Sequence, residues 1–233
     1  MAPLRWGICG AGNIAKDFAS SMMAVDGSEL VAVASRRPSD GLSAFADNFG
    51  CQAHGNYAAL AADAEVDAVY VATIHPTHYA ITKLALEAGK HCMVEKPFGM
   101  NAREVSELTA LASAKGVLLM EAMWTACLPA TIEAMRMVSE GEIGEVQSAN
   151  ASVGGVWYAP GDLLDAEGRA AAKALGSGVL LDVGCCESMQ HYTPRQGIPH
   201  ELLDFGSSSD RPFVAIDAIA VPYMFFRSMG VSD

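Results

Sequence analysis

The first 122 residues alternate two apolar patterns. Short continuous apolar runs at residues 4–8, 30–35, 66–72, 92–94 and 117–120 predict strands, because such runs suit strands buried on both faces. Between them, residues 14–25 carry apolar positions at helical spacing. Ile81, Leu84, Ala85 and Ala88 repeat that spacing after Thr77, until Gly89 stops it. Asn101-Ala102-Arg103-Glu104 has the form of a capping box and predicts a helix to about residue 114. Strands separated by such helices predict an α/β domain with a doubly wound parallel sheet and right-handed crossovers. Their C-terminal ends then share one edge, where ligands of such sheets bind.

Beyond residue 123 the texture changes. Residues 129–140 read as a helix, 146–153 as a strand, and 161–175 fit either a helix or a loop. Residues 202–207 and 213–221 predict further strands. The expected division is a first domain over 1–122 and a partial second domain over 123–233. An apolar strand so near the chain end leaves an edge in want of a partner.

Composition narrows the function classes. The chain has 233 residues, 51% of them hydrophobic and 18% charged, enough apolar material for a real core. No apolar run approaches the roughly 18 residues of a membrane span, and the N-terminus lacks the apolar stretch of a secretory signal. Fifteen basic against 27 acidic residues give a net charge of −12, which disfavours nucleic acid and anionic membranes as partners. Six cysteines occur at 9, 51, 92, 127, 185 and 186 without C-x-x-C spacing. They read as reduced thiols, so a cytoplasmic protein without a metal centre is expected.

Candidate chemistry begins at the first strand. Gly10-Ala11-Gly12-Asn13-Ile14-Ala15 matches G-x-G-x-x-(G/A) between an apolar strand and a helix. Gly10 permits the tight turn, and Gly12 lets a pyrophosphate approach the backbone. The N–H groups at Asn13 and Ile14 are then free to hold phosphate. The bland alternative is a tight turn with no ligand. The second strand ends in Ser35-Arg36-Arg37, where an NAD site usually carries an acid. Arginine there suits a 2′-phosphate, so NADP is the expected cofactor; two solvated surface arginines are the alternative. Glu95-Lys96-Pro97 puts an ammonium at a C-terminal strand end, able to steady a developing alkoxide, although such a triplet is often only a surface turn.

These motifs occur together with Ala72-Thr73-Ile74-His75-Pro76-Thr77-His78 and Glu95-Lys96-Pro97-Phe98-Gly99. In that order the chain resembles the Gfo/Idh/MocA oxidoreductases. Met120-Glu121-Ala122-Met123-Trp124-Thr125 is similar to the branch of dimeric dihydrodiol dehydrogenases and NADP-dependent D-xylose dehydrogenases. The resemblance covers about residues 4–184. It implies a Rossmann domain followed by an incomplete α+β domain with an open, mainly antiparallel sheet. It implies Lys96 and Asp182 as catalytic residues, with the Lys96–Pro97 bond cis. It places Thr73, His75, His78, Glu95, Pro97 and Trp124 around the cofactor. The implied activity is NADP-dependent hydride transfer with a secondary alcohol of a sugar or cyclic trans-diol. A homodimer is expected if the second sheet is complete enough to form the face.

The chain departs from the family at three points. Gly176-Ser177-Gly178-Val179-Leu180-Leu181-Asp182-Val183-Gly184 matches the family's approach to D-x-G-x-(Y/H), but Cys186 stands where the proton-exchanging tyrosine or histidine is expected. A thiol is smaller and titrates near 8.5, a poor geometric replacement. His191 is five residues further on, off the face of Cys186 in a helix. Ala126 stands where the resemblance implies an arginine, and the resemblance implies roughly a hundred further residues, so a C-terminally truncated chain or a degenerate paralogue is expected. These departures favour two rival expectations, a cofactor-binding paralogue or fragment without turnover, or a partner for a full-length relative.

Overall fold

In a computed structural model, residues 2–146, 172–176, 182 and 184 are described. Six strands make one sheet: β1 (Leu4–Cys9), β2 (Ser28–Ala34), β3 (Gln52–His54), β4 (Ala68–Val71), β5 (His91–Glu95) and β6 (Leu119–Ala122). All five pairings are parallel and the spatial order is β3-β2-β1-β4-β5-β6. The chain starts at the centre, winds outward to β3, returns beside β1 as β4, and winds outward again. The reversal opens a crevice between the C-terminal ends of β1 and β4. The expected doubly wound parallel sheet is therefore present.

Helices α1 (Asn13–Met22), α2 (Asp40–Phe49), α3 (Tyr57–Ala61), α4 (His78–Glu87) and α5 (Ala102–Lys115) cover the sheet. The apolar runs are continuous because both faces are buried. All four residues of β4 are buried. Tyr70 faces one layer with Ile8, Val33, Ala15, Ala19, Leu42 and Phe45. Its neighbours Val69 and Val71 face the other, with Leu60, Ile81, Leu86, Leu108 and Val94, as the two-residue strand period requires.

Several boundaries differ from the sequence reading. The strand predicted at 117–120 lies at Leu119–Ala122, in register with Cys92–Glu95. Its start is displaced because Gly116 takes φ +67 and the Val117 N–H closes the end of α5 on the Ala112 carbonyl. The first helix stops at Met22, and the Val25 N–H turns back onto the Met22 carbonyl. The sequence reading missed β3, α2 and α3. β3 is three residues on the sheet edge, and α3 has only five, so neither builds a periodic signal. The capping box is real in modified form. Asn101 accepts from the Glu104 N–H at 3.1 Å, while Glu104 reaches one residue further, accepting from the Met100 N–H at 2.9 Å.

After Ala122 the chain enters a short 3-10 helix at Trp124–Cys127 and then α6 (Pro129–Ser139). The strand expected at 146–153, most of the ambiguous stretch at 161–175, the strands expected at 202–207 and 213–221, and Cys185, Cys186 and His191 lie outside the described residues. A second short 3-10 helix, Lys173–Leu175, lies within them and approaches the one at His75–Thr77. Among the described residues no helix is long and apolar enough to cross a membrane.

Candidate active site at the carboxyl edge of the sheet

The chain leaves β1 through Gly10, whose φ is +111. A Cβ there would lie 2.5 Å from the Ala72 carbonyl oxygen, so glycine is required by both backbone and space. Gly12 then caps α1 without any side-chain bond, and nothing lies within 4 Å of where its Cβ would be. By contrast, α2, α3 and α5 are capped by the side chains of Ser39, Asn56 and Asn101. The first-turn N–H groups at Asn13 and Ile14 are thus left without a side-chain cap at the mouth of the crevice. Both residues are exposed, and Ile14, at 46%, offers an apolar side chain beside these donors. Uncapped N–H groups, a positive helix end and a close-approach glycine fit a dinucleotide pyrophosphate.

Ser35 follows β2, one strand over. Its hydroxyl donates to the Arg37 carbonyl at 2.5 Å, so its single proton is already committed. The charged groups beside it are the guanidinium groups of Arg36 and Arg37, and both residues are exposed. Thr73 follows β4, and its Oγ1 lies 2.8 Å from Thr77 Oγ1.

His78 opens α4 and is fully buried. Its Nδ1 faces the Pro97 carbonyl at 2.8 Å and its Nε2 faces the Thr73 carbonyl at 3.0 Å. The ring therefore ties the end of β4 to the turn after β5. Any ligand would meet it through those carbonyls rather than directly. Among the described residues no group of three or more His, Cys, Asp or Glu is placed to hold a metal ion.

The end of β5 carries the polar centre. Tyr70 donates its phenolic proton to Glu95 Oε1 at 2.5 Å, with Phe18 stacked on its ring at 3.9 Å. Burial first, and the Glu95 charge second, push the Tyr70 phenol well above its ordinary value, so it remains the donor. Lys96 Nζ donates to Asp182 Oδ1 at 2.9 Å and also to the Asp182 carbonyl. The two side chains are only 19% and 17% exposed, so water weakens the pair less than it would at an open surface. The Lys96–Pro97 peptide is cis, as the resemblance implies. His75, also buried, stands 3.6 Å from the same Asp182 oxygen, and its Nδ1 lies 3.0 Å from the Gly176 carbonyl. A Cβ on Gly176 would come within 3.1 Å of the His75 ring and 2.8 Å of Met100 Sδ, which explains that glycine.

Trp124 stands just past the end of β6, 39% exposed, on the same edge. The structure therefore brings Lys96, Asp182 and His75 into one cluster, with Glu95 at its side. It holds Gly10, Gly12, Asn13 and Ile14 together at the turn, and leaves Arg36 and Arg37 at the far end of the edge. Sequence reasoning missed Tyr70, Glu121 and Gly176 as members of this neighbourhood. A lone tyrosine inside an aliphatic run was the available signal for the first.

Cys9 and Cys92 are buried in the sheet. Burial pushes Cys92 up to about 12 and raises Cys9 as well.

Comparison with known proteins agrees with this geometry. Residues 4–123 match the family described as "Oxidoreductase family, NAD-binding Rossmann fold". Trans-1,2-dihydrobenzene-1,2-diol dehydrogenase from Danio rerio is 39% identical over 183 residues, covering 78% of this chain and 53% of that protein. The enzyme of the same name from Homo sapiens is 39% identical over 185 residues, with the same coverage of 78% and 53%. The chain spans about half the length of the curated relatives it matches. Among solved structures, KijD10, a 3-ketoreductase from Actinomadura kijaniata in complex with NADP and TDP-benzene, superposes with a TM-score of 0.65. It is 31% identical, over 78% of this chain and 54% of that one. An NAD-binding protein from Listeria innocua gives a TM-score of 0.67 at 27% identity, over 81% and 53%. The uncapped glycine turn, the switch-point crevice and the matched residues together make this chain a member of the Gfo/Idh/MocA oxidoreductase family, with an NAD-binding Rossmann fold.

Proposed function

We propose that the protein oxidises a secondary alcohol of a sugar or cyclic trans-diol with NADP. The observation that carries this reading is Lys96 Nζ, delivered by β5 to the ligand edge and held at 2.9 Å by Asp182. When bound, the nicotinamide ring supplies the hydride acceptor that turns the alcohol carbon into a carbonyl. The N–H groups after Gly12 hold the pyrophosphate, and Arg36 with Arg37 hold the 2′-phosphate. The Lys96 ammonium donates to the reacting oxygen and stabilises it as negative charge develops. Asp182 keeps that ammonium charged and aimed, and the hydroxyl proton leaves toward the Asp182 carboxylate and then water. Glu95, fixed by Tyr70, and Trp124 border the space left for cofactor and substrate. The names of the curated relatives support a cyclic trans-diol as donor.

The test is NADPH formation by the purified chain with trans-1,2-dihydrobenzene-1,2-diol, D-xylose and D-glucose. Lys96→Met is expected to lower kcat by about 100-fold or more while changing the NADPH dissociation constant by less than about threefold. Undiminished turnover in that variant overturns the mechanism. A second reading, cofactor binding without turnover, is favoured by Cys186 and by Ala126 in the 3-10 helix after β6. Tight NADPH binding by the unmodified chain with no turnover on any of the three donors selects it.

A further inference from the structure

Lys96 stands between two backbone units that the structure fixes independently. Before it, Glu95 is locked in sheet register opposite Ala122. After it, the Pro97 ring sets its own φ. The next peptide group, Pro97–Phe98, is then gripped at both poles. His78 Nδ1 faces its carbonyl oxygen at 2.8 Å, and Glu121 Oε1 accepts from its N–H at 2.8 Å. The two grips come from different elements, the first turn of α4 and strand β6. Rotation of that peptide plane would break both bonds at once. An N–H donated to a carboxylate is the stronger class of hydrogen bond, so the β6 side anchors the plane as firmly as the histidine side.

We propose that Glu121 is a positioning residue: by holding the Pro97–Phe98 peptide it sets the backbone direction of Lys96 and so aims Nζ at Asp182. This rests on the reading of Lys96 as the substrate-facing amine. Glu121 does not itself touch the reacting atoms. The motif at 120–125 entered the sequence reading only as a resemblance, and the hydrogen bond to the turn gives its acidic member a physical task. Without that acceptor, the Phe98 N–H loses its partner and the plane is left held from one side. Lys96 then samples other directions, and the contact with Asp182 weakens. A displacement on the order of 1 Å at such a group can cost about 100-fold in rate.

The test uses the whole chain and reads Lys96 directly, independent of turnover. Lysines are labelled with limiting acetic anhydride and quantified by peptide mass spectrometry. Exposed Lys16 and Lys83 serve as references. Lys90 reports the fold, since its Nζ is held by the carbonyls of Asp63 and Val66 at 2.8 and 2.7 Å. In Glu121→Ala, Lys96 is expected to label several-fold faster while Lys90 is unchanged. Glu121→Gln, which keeps an oxygen acceptor, returns labelling close to the wild-type rate. An unchanged Lys96 rate in Glu121→Ala overturns the proposal. So does a parallel rise at Lys90, which would make Glu121 a support of the fold as a whole. A Gln variant that behaves like the Ala variant overturns it too, because the accepted bond is then not what matters. Where the wild type turns over, kcat of Glu121→Ala falls by about tenfold or more with the NADPH dissociation constant unchanged. Absence of wild-type turnover counts against the proposed function alone and leaves the labelling result to decide the positioning role.

Discussion

Under the proposed function, Arg36 is the residue on which cofactor choice turns. The Ser35 hydroxyl spends its proton on the Arg37 carbonyl, so the proposed preference for a 2′-phosphate rests on guanidinium charge. Arg36→Ala is expected to weaken NADPH binding by about tenfold or more, the scale of one charge-assisted contact, and to leave NADH binding within about twofold. Fluorescence titration with both nucleotides checks this, and equal losses for the two would remove Arg36 from the role. The place of Lys96 at a strand end was legible in the sequence because Glu-Lys-Pro follows an apolar run, while its role came from the family resemblance. Its partner lies 86 positions away, and only the fold closes that distance. His78 shows the opposite case. The resemblance implied a place near the cofactor, and the structure gives both ring nitrogens backbone carbonyls to face.

At the scale of elements, the β1–turn–α1 unit is the most constrained. Gly10 combines φ +111 with the Ala72 carbonyl 2.5 Å from its missing Cβ. Gly10→Ala is therefore expected to cost about 2 kcal/mol or more of stability and to weaken nucleotide binding, because the turn must open to admit the methyl group. Thermal melts with and without NADPH measure both effects, and a variant with unchanged midpoint in both conditions would contradict this account. The same unit was the clearest in the sequence, since its glycine spacing sits between two strong periodic signals. α2 was less legible, although Ser39 caps it and Gly50 ends it with φ +65, because its ten residues mix glycine, aspartate and asparagine with few strong helix formers.

Across the whole molecule, acid should attack the sheet through the Arg5–Asp67 ion pair. The Arg5 side chain grips the Asp67 carboxylate at 2.9 and 2.8 Å, linking β1 to the residue before β4. The Arg5 hydrogen bonds hold the Asp67 carboxyl down to about 2, below its ordinary 3.8. A depressed carboxyl favours the folded state above its unfolded value, and that contribution is lost as pH falls from 3.8 toward 2. Melting temperature should therefore drop through this window. Asp67→Asn should be less stable near neutral pH and lose less over the same interval; a variant with the wild-type acid slope would assign the loss to other carboxyls. The sequence by itself determined the parallel sheet, its crevice edge and the turn that opens there. Apolar periodicity and glycine spacing are local, and crossover handedness leaves few topologies for them to build. What only the tertiary structure decided is the company each polar group keeps: Asp182 on Lys96, Tyr70 on Glu95, Glu121 on the turn beyond Pro97. Those partners are tens of residues apart, and no local pattern encodes a hydrogen bond between groups that meet only when distant segments come together.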